Sequence, residues 1–217
     1  MNRKDAKPFT GSDVEVIERT TLYEQYFRVD RYLLKHRLFE GGWSGDVSRE
    51  IFERGHAVSA VLFDPGRDAL VMIEQFRAGA YAAIASPWFD DNASPWLIEI
   101  TAGIIEDGEA PEEVARREAK EETGCEITDI VPFCHYLVSP GGSSESCFIF
   151  CGRVDSTKAD GIHGLAHEQE NIRVRAVPVS QALEWLDSGR INNAMTMITL
   201  QWFRRRHCAL QAKWGGA

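Results

Sequence analysis

The sequence predicts a layered α/β fold with a mixed sheet, preceded by a small N-terminal β segment. Three observations carry this. Residues 13–54 alternate apolar and polar types, the pattern of half-buried strands. HAVSAVLF and ALVMIEQFR, on either side of Asp64-Pro65-Gly66, are near-continuous apolar runs of the kind found in central strands. Helix signals follow at 111–123 and again near the C-terminal end. Strands and helices in one chain form layers, because each buries one face against the other.

The alternating region turns at Glu40-Gly41-Gly42 and spans about 50 residues, a length that rarely sustains a core alone. We therefore expect residues 1–55 to form a β segment that packs on the rest of the chain or on a second copy, and 56–217 to form the main domain. Residues 80–95, with Pro87 and Pro95, read as a loop. WLIEITAGII reads as one strand leading into the first helix. ITDIVPFCHYLVS and SSESCFIFCGRVD read as strands joined by Pro140-Gly141-Gly142. The polar DGIHGLAHEQE is a loop, and IRVRAVPVS a further strand. Ser180 is positioned to cap the helix QALEWLDS, which Gly189 ends; Asn192 or Asn193 starts AMTMITLQWFRRR. Arg204, Arg205, Arg206 and His207 suit a helix C-terminus, where the macrodipole favours cations.

Net charge is −9 and the pI near 5.2, which argues against a broad nucleic-acid or anionic-membrane surface. The start MNRKDAKPFTGSDVEV has no apolar signal region, and no run approaches the roughly 20 apolar residues of a membrane span. A cytoplasmic protein is expected. The five cysteines lack CxxC spacing and read as reduced thiols. Cys147 and Cys151, on one face of a strand, would lie roughly 13 Å apart, too far for a disulfide.

GIIEDGEAPEEVARREAKEETGC, residues 103–125, concentrates acid. Pro111 suits a first helical turn, Glu112 and Glu113 its positive end, and Gly124 its stop, so residues 111–123 should be helical. At spacing four, Glu112 reaches Arg116, Glu113 reaches Arg117, and Arg117 also reaches Glu121. Glu118 and Glu122 remain without a base. They share an arc with Val114 and Ala115 on the apolar face. A solvated-helix reading accounts for Glu112 and Glu113 and poorly for these two. Buried carboxylates without a base protonate or bind a cation, and oxygen donors alone select a hard ion such as Mg²⁺ or Mn²⁺.

Gly103, Glu109 and the run Arg117-Glu118-Ala119-Lys120-Glu121-Glu122-Thr123-Gly124-Cys125 resemble the Nudix box, G-x5-E-x7-R-E-U-x-E-E-x-G-U with U a bulky aliphatic. Every charged and glycine position matches, while Ala119 and Cys125 are smaller than the usual U residues. The resemblance implies a Nudix-type α/β/α sandwich and a hydrolase that splits a nucleoside diphosphate joined to another group, with divalent cations. It makes Glu118, Glu122 and Glu170 metal ligands together with the Ala102 carbonyl. Glu121 faces partly toward that site, whereas Glu109 and Arg117 brace the loop and helix.

Ser139-Pro140-Gly141 resembles the marker of the ADP-ribose pyrophosphatase subfamily. REIFERGHA, IEQFR, SPGGSSE and GIHGLAHEQENIRV extend the likeness to bacterial members over most of the chain. Carried over, it sets Tyr26 and Phe27 against adenine and lines the nucleotide site with Arg49, Glu50, Arg54 and Arg77, some from the partner subunit of a homodimer with exchanged N-terminal strands. Ile104, Ser139 and Glu145 are further contacts, and Glu168 is the base that deprotonates water. Residues 83–95 are longer than in such relatives. His163 and His167, four apart, are also open to a zinc reading if helical, against which Gly164 and the loop composition weigh. The implied activity is Mg²⁺-dependent hydrolysis of ADP-ribose to AMP and ribose 5-phosphate. The alternatives are hydrolysis of another nucleoside diphosphate compound such as GDP-mannose, and a noncatalytic domain that binds ADP-ribose.

Overall fold

In a computed structural model the described residues are 8–90 and 92–215, apart from the side chain of Glu168. They form two compact units. The first takes residues up to His56 and also Leu137–Ser146. Its strands β1 (Val14–Glu24), β2 (Arg28–His36) and β3 (Val47–Glu53) make an antiparallel sheet in that order. Asp30 is the one fully buried side chain among these strands; it accepts hydrogen bonds from Arg19 and Thr21 and pairs with Arg28. Ion pairing rather than an apolar core thus occupies the middle of this sheet, and Val16, Ile17, Leu22 and Tyr23 on β1 stay exposed. The turn from 139 to 144 joins the unit through backbone bonds, Phe52 N–H to the Gly142 carbonyl and Ser144 N–H to the Phe52 carbonyl.

The second unit holds an eight-stranded mixed sheet of β4 (Ala57–Asp64), β5 (Ala69–Phe76), β6 (Trp96–Glu99), β7 (Thr101–Ile104), β8 (Asp129–Leu137), β9 (Ser146–Arg153), β10 (Asp160–His163) and β11 (Ile172–Pro178). The order along the main path is β10-β11-β5-β4-β9-β8. All of β4 is buried, and its alternate side chains enter different cores. Ala57, Val61 and Phe63 meet helices α3 (Val179–Asp187) and α4 (Ala194–Trp214) through Ala182, Leu186, Leu200 and Phe203. Val58, Ala60 and Leu62 meet α2 (Pro111–Thr123) through Val114, Ala115 and Ala119. A helix layer therefore lies on each face, giving the expected α/β/α sandwich.

Strands β4 and β5 pair directly only where Leu62–Asp64 meets Ala69–Val71. Beyond that they part, with β6 on β5 and β7 on β4. WLIEITAGII is consequently two strands that change partner at Ile100, where one was expected. The 80–95 stretch begins with a helix, α1 (Ala78–Ile84), since AGAYAAI is rich in the strongest helix former. Ser180 does not cap α3: the helix already starts at Val179, with Pro178 at the cap and no side-chain bond. Asn193 does cap α4, accepting from Thr196 N–H at 3.1 Å. The basic run is mid-helix instead of terminal, because buried Leu210 and Trp214 prolong the apolar stripe of α4. There Arg204 pairs with Asp187 and His207 with Asp68. The five cysteines are free.

Candidate active site

Helix α2 has the bounds its sequence signals predict, Pro111 in its first turn and Gly124 left-handed at its stop, φ 70°. Its last two turns carry the acids. Glu122 is 3% exposed, and its Oε2 accepts from the Ala102 N–H of β7 at 3.1 Å. Glu118 lies over Gly103 of the same strand: a Cβ there would stand 1.8 Å from Glu118 Oε1, so the first glycine of the motif is the space that this carboxylate occupies.

The pairing of the helix departs from the expected scheme. Glu113 turns back to accept from Ala110 N–H at 3.4 Å and does not meet Arg117. Arg117 is instead anchored by Glu109, Nε to Oε1 at 3.1 Å and Nη2 to Oε2 at 3.2 Å, and Glu109 also accepts from Glu106 N–H. That fork aims Nη1 at Glu118, 2.8 Å, and at Glu121, 3.1 Å. Glu118 is therefore paired, contrary to the expectation from spacing four, because its base is the adjacent Arg117, turned toward it by Glu109. Arg117 and Glu109 do brace loop to helix. Glu112 pairs with Arg116 as expected.

Pairing does not offset burial. Burial pushes the Glu118 carboxyl up to about 7 although Arg117 works against it, and the charges of Glu121 and Glu170 add to the rise. Burial raises Glu122 well above the carboxylate range, Glu118 adds to that, and the Ala102 N–H and the Arg77 charge oppose it. Glu170 is thus an electrostatic neighbour of both. Its Oε2 accepts from Leu165 N–H at 3.0 Å, and its Cβ would lie 2.6 Å from any Cβ placed on Gly164. Among the described residues no three His, Cys, Asp or Glu side chains converge into a ready-made ligand set. The donor chemistry nonetheless fits a hard divalent cation: carboxylate oxygens, two of them strongly desolvated, beside one backbone strand.

Arg77 follows β5 and pairs with Glu99 at 2.8 Å, and Ile104 ends β7 with its side chain partly exposed. Glu168 closes a short 3-10 turn, Ala166–Glu168. Its side chain lies outside the described residues, so its expected role as base is untouched by the geometry. His163 packs its ring on Gly124 and places Nε2 3.0 Å from the Asp160 carbonyl, an arrangement of β10 and not of a helix.

The remaining expected contacts fall in the first unit. Tyr26 is 83% exposed at the β1–β2 turn and meets Phe27 edge to face, with ring centroids 4.7 Å apart. Phe27 rests on Phe52 at 4.9 Å and lies under the Arg54 guanidinium at 5.9 Å. Arg54 Nε is 3.6 Å from Oε1 of the buried Glu145. Arg49 donates to the Ser48 carbonyl, Glu50 faces Arg31 across β2–β3, and the Ser139 carbonyl accepts from Gly142 and Ser143 N–H. Sequence reasoning passed over Glu99 and Gln75; the available signal was an acid standing inside the apolar run WLIEI.

The NUDIX domain family model matches residues 53–196. An ADP-ribose pyrophosphatase of Escherichia coli strain K12 is 50% identical over 216 residues, covering 99% of this chain and 100% of that protein. One from Haemophilus influenzae is 41% identical over 95% of this chain and 93% of its own. A solved structure described as an ADP compounds hydrolase superposes with a TM-score of 0.68 at 20% identity, covering 94% of this chain and 98% of that one, a likeness of fold. No helix among the described residues is long and apolar enough to cross a membrane.

Proposed function

The chain belongs to the NUDIX family, and on that premise we propose that it hydrolyses the pyrophosphate of ADP-ribose to AMP and ribose 5-phosphate with Mg²⁺, for which Mn²⁺ can substitute. The observation that carries the reading is the pair of desolvated carboxylates, Glu118 and Glu122, held on one helix face against Ala102 and Gly103. Net like charge in that place is costly without a cation. Glu118, Glu122, Glu170 and the Ala102 carbonyl are the proposed ligands. A divalent ion bound there supplies screening of the phosphate oxygens and acidifies a nearby water.

Glu168 is the proposed base. It takes the proton as the water oxygen bonds to one phosphorus, and the bridging P–O bond breaks with its electron pair leaving on the other phosphate. Arg117, tied to Glu109, holds Glu118 and Glu121 in place. Tyr26 and Phe27 are proposed to stack on adenine, and Arg49, Glu50, Arg54, Arg77, Ile104, Ser139 and Glu145 to contact the rest of the nucleotide. Arginine suits this because its planar fork donates two hydrogen bonds to phosphate.

A rate comparison over ADP-ribose, GDP-mannose, NADH and diadenosine polyphosphates tests the substrate. ADP-ribose is expected to give the highest kcat/KM, with AMP released only when a divalent ion is present. A higher value for GDP-mannose would overturn the assignment, and ADP-ribose binding with no AMP release would favour the noncatalytic alternative. In the same assay Glu168→Gln is expected to lose roughly 10²–10⁴-fold in kcat, the usual contribution of a general base, with metal affinity retained; a normal rate moves the base elsewhere.

A homodimer with exchanged N-terminal strands is also proposed. The exposed Val16, Ile17, Leu22 and Tyr23 on β1 support it, since a sheet that buries only an aspartate leaves its aliphatic surface without cover. Light scattering is expected to give twice the chain mass of 24.4 kDa; the mass of a single chain at micromolar concentration would remove the proposal.

A further inference from the structure

Strand β6 ends in an acid that the reaction as described above does not use. Glu99 is cross-strand partner to Ile73 and diagonal neighbour of Gln75 on β5. Ile73 belongs to the core cluster beneath α2, which puts Glu99 on the sheet face that α2 covers. The Glu99 side chain is 12% exposed, and its Oε2 accepts from Arg77 Nε at 2.8 Å and from the buried Gln75 amide at 3.2 Å. Arg77 itself is 43% exposed, and its charge reaches Glu122.

A buried acid paired with a half-exposed base is a poor device for stability, because desolvating the acid offsets much of the attraction. It is a good device for direction. An unrestrained arginine loses substantial rotamer freedom on binding, whereas one held at Nε has already lost it. With Nε taken by Glu99, a side-on pairing through Nε is closed and only the two terminal nitrogens remain for a ligand. Among the described residues neither terminal nitrogen donates a hydrogen bond, so the fork is open at that end.

We infer that Glu99, steadied by Gln75, is a positioning residue that locks Arg77 through Nε and presents its Nη1 and Nη2 end-on to a pair of phosphate oxygens of the substrate. The inference rests on the proposed contact between Arg77 and the nucleotide. Glu99 touches neither substrate nor metal in this scheme; it acts only through Arg77.

The test is a two-residue cycle in steady-state kinetics with ADP-ribose and saturating Mg²⁺. Glu99→Ala is expected to raise KM about tenfold, the scale of one charge-assisted hydrogen bond, with kcat within about threefold of the parent. Arg77→Met should raise KM at least as much, and adding Glu99→Ala to it should change KM by less than about twofold. Glu99→Gln, which keeps an oxygen for Nε, should recover most of the loss. Glu99→Leu fills the same volume and replaces Glu99→Ala in the cycle should the alanine variant melt early. Parent-like KM in Glu99→Ala beside an impaired Arg77→Met sinks the positioning role alone. An equal Glu99→Ala loss in both backgrounds also overturns it. Parent-like KM in Arg77→Met removes the Arg77 contact and the inference with it.

Discussion

Glu122→Gln is expected to lower kcat for ADP-ribose by more than roughly a hundredfold and, in the same protein stripped of metal, to raise Tm. Altering the outer partners of a metal ligand typically costs about 10–100-fold, so removing a charged ligand itself costs more. The stability gain has a separate origin. Glu122 is buried, no base among the described residues forms an ion pair with it, and both burial and the Glu118 charge disfavour its ionised form. Glutamine has the same shape, can accept from the Ala102 N–H as Glu122 Oε2 does, and carries no charge to desolvate. A gain of about 1 kcal/mol would appear as roughly 2–4 °C in a chain of this length. Turnover is measured with divalent ion present, and melting with chelator present. Full activity would remove Glu122 from the metal site. An unchanged or lower Tm in chelator would mean that the buried charge is compensated by something other than a cation.

Which parts of the molecule were legible in the sequence depends on how local the determining contacts are. Helix α2 was readable to the residue because its signals are local: Pro111, the acidic first turn and Gly124 each act within one turn. The burial of Glu122 was readable because helical geometry puts it on the arc of Val114 and Ala115, and both are buried. The partner of Glu118 was not, since Arg117 is turned toward it by Glu109, a loop residue whose position depends on the fold. The break at Ile100 was hidden for a similar reason. An apolar run states that a strand is buried, but which neighbour it pairs with is decided by how β4 and β5 part. Glu99 was overlooked because its partners Gln75 and Arg77 are distant in the chain and adjacent only across the β5–β6 ladder. In the first unit the alternation correctly gave strands, yet it could not reveal that the middle of the sheet holds Asp30 and its arginines.

The same desolvated acids should make metal-free stability fall as pH rises, the reverse of ordinary acid denaturation. Glu118 holds its proton up to about pH 7 in the folded chain, against an ordinary value of 4.5. Between those values the folded state keeps a proton that the unfolded state has released, so stability declines through this window. Glu122, raised well above its ordinary value by burial and by the Glu118 charge, adds to the decline. The opposite dependence comes from Glu109, held low by the Glu106 N–H and Arg117, and from Asp129, held low by Lys213 and Trp214. Their stabilisation is present above the ordinary carboxylate range and is lost as pH drops below it. Together these place the Tm maximum of the metal-free protein on the acidic side of neutrality, where Glu109 and Asp129 are ionised and Glu118 still holds its proton. A divalent ion competes with protons for Glu118 and Glu122, so its effect must grow with pH. At a hundredfold excess over Kd it contributes about 2.7 kcal/mol, which is roughly 5–10 °C at this chain length. Melting curves from pH 5 to pH 8, with chelator and with Mg²⁺, separate the terms. The expected pattern is a Tm that falls with pH in chelator and a Mg²⁺ shift several times larger at pH 8 than at pH 5.5. A flat or rising Tm in chelator, or an equal Mg²⁺ shift at both pH values, would show that these carboxylates do not carry the linkage.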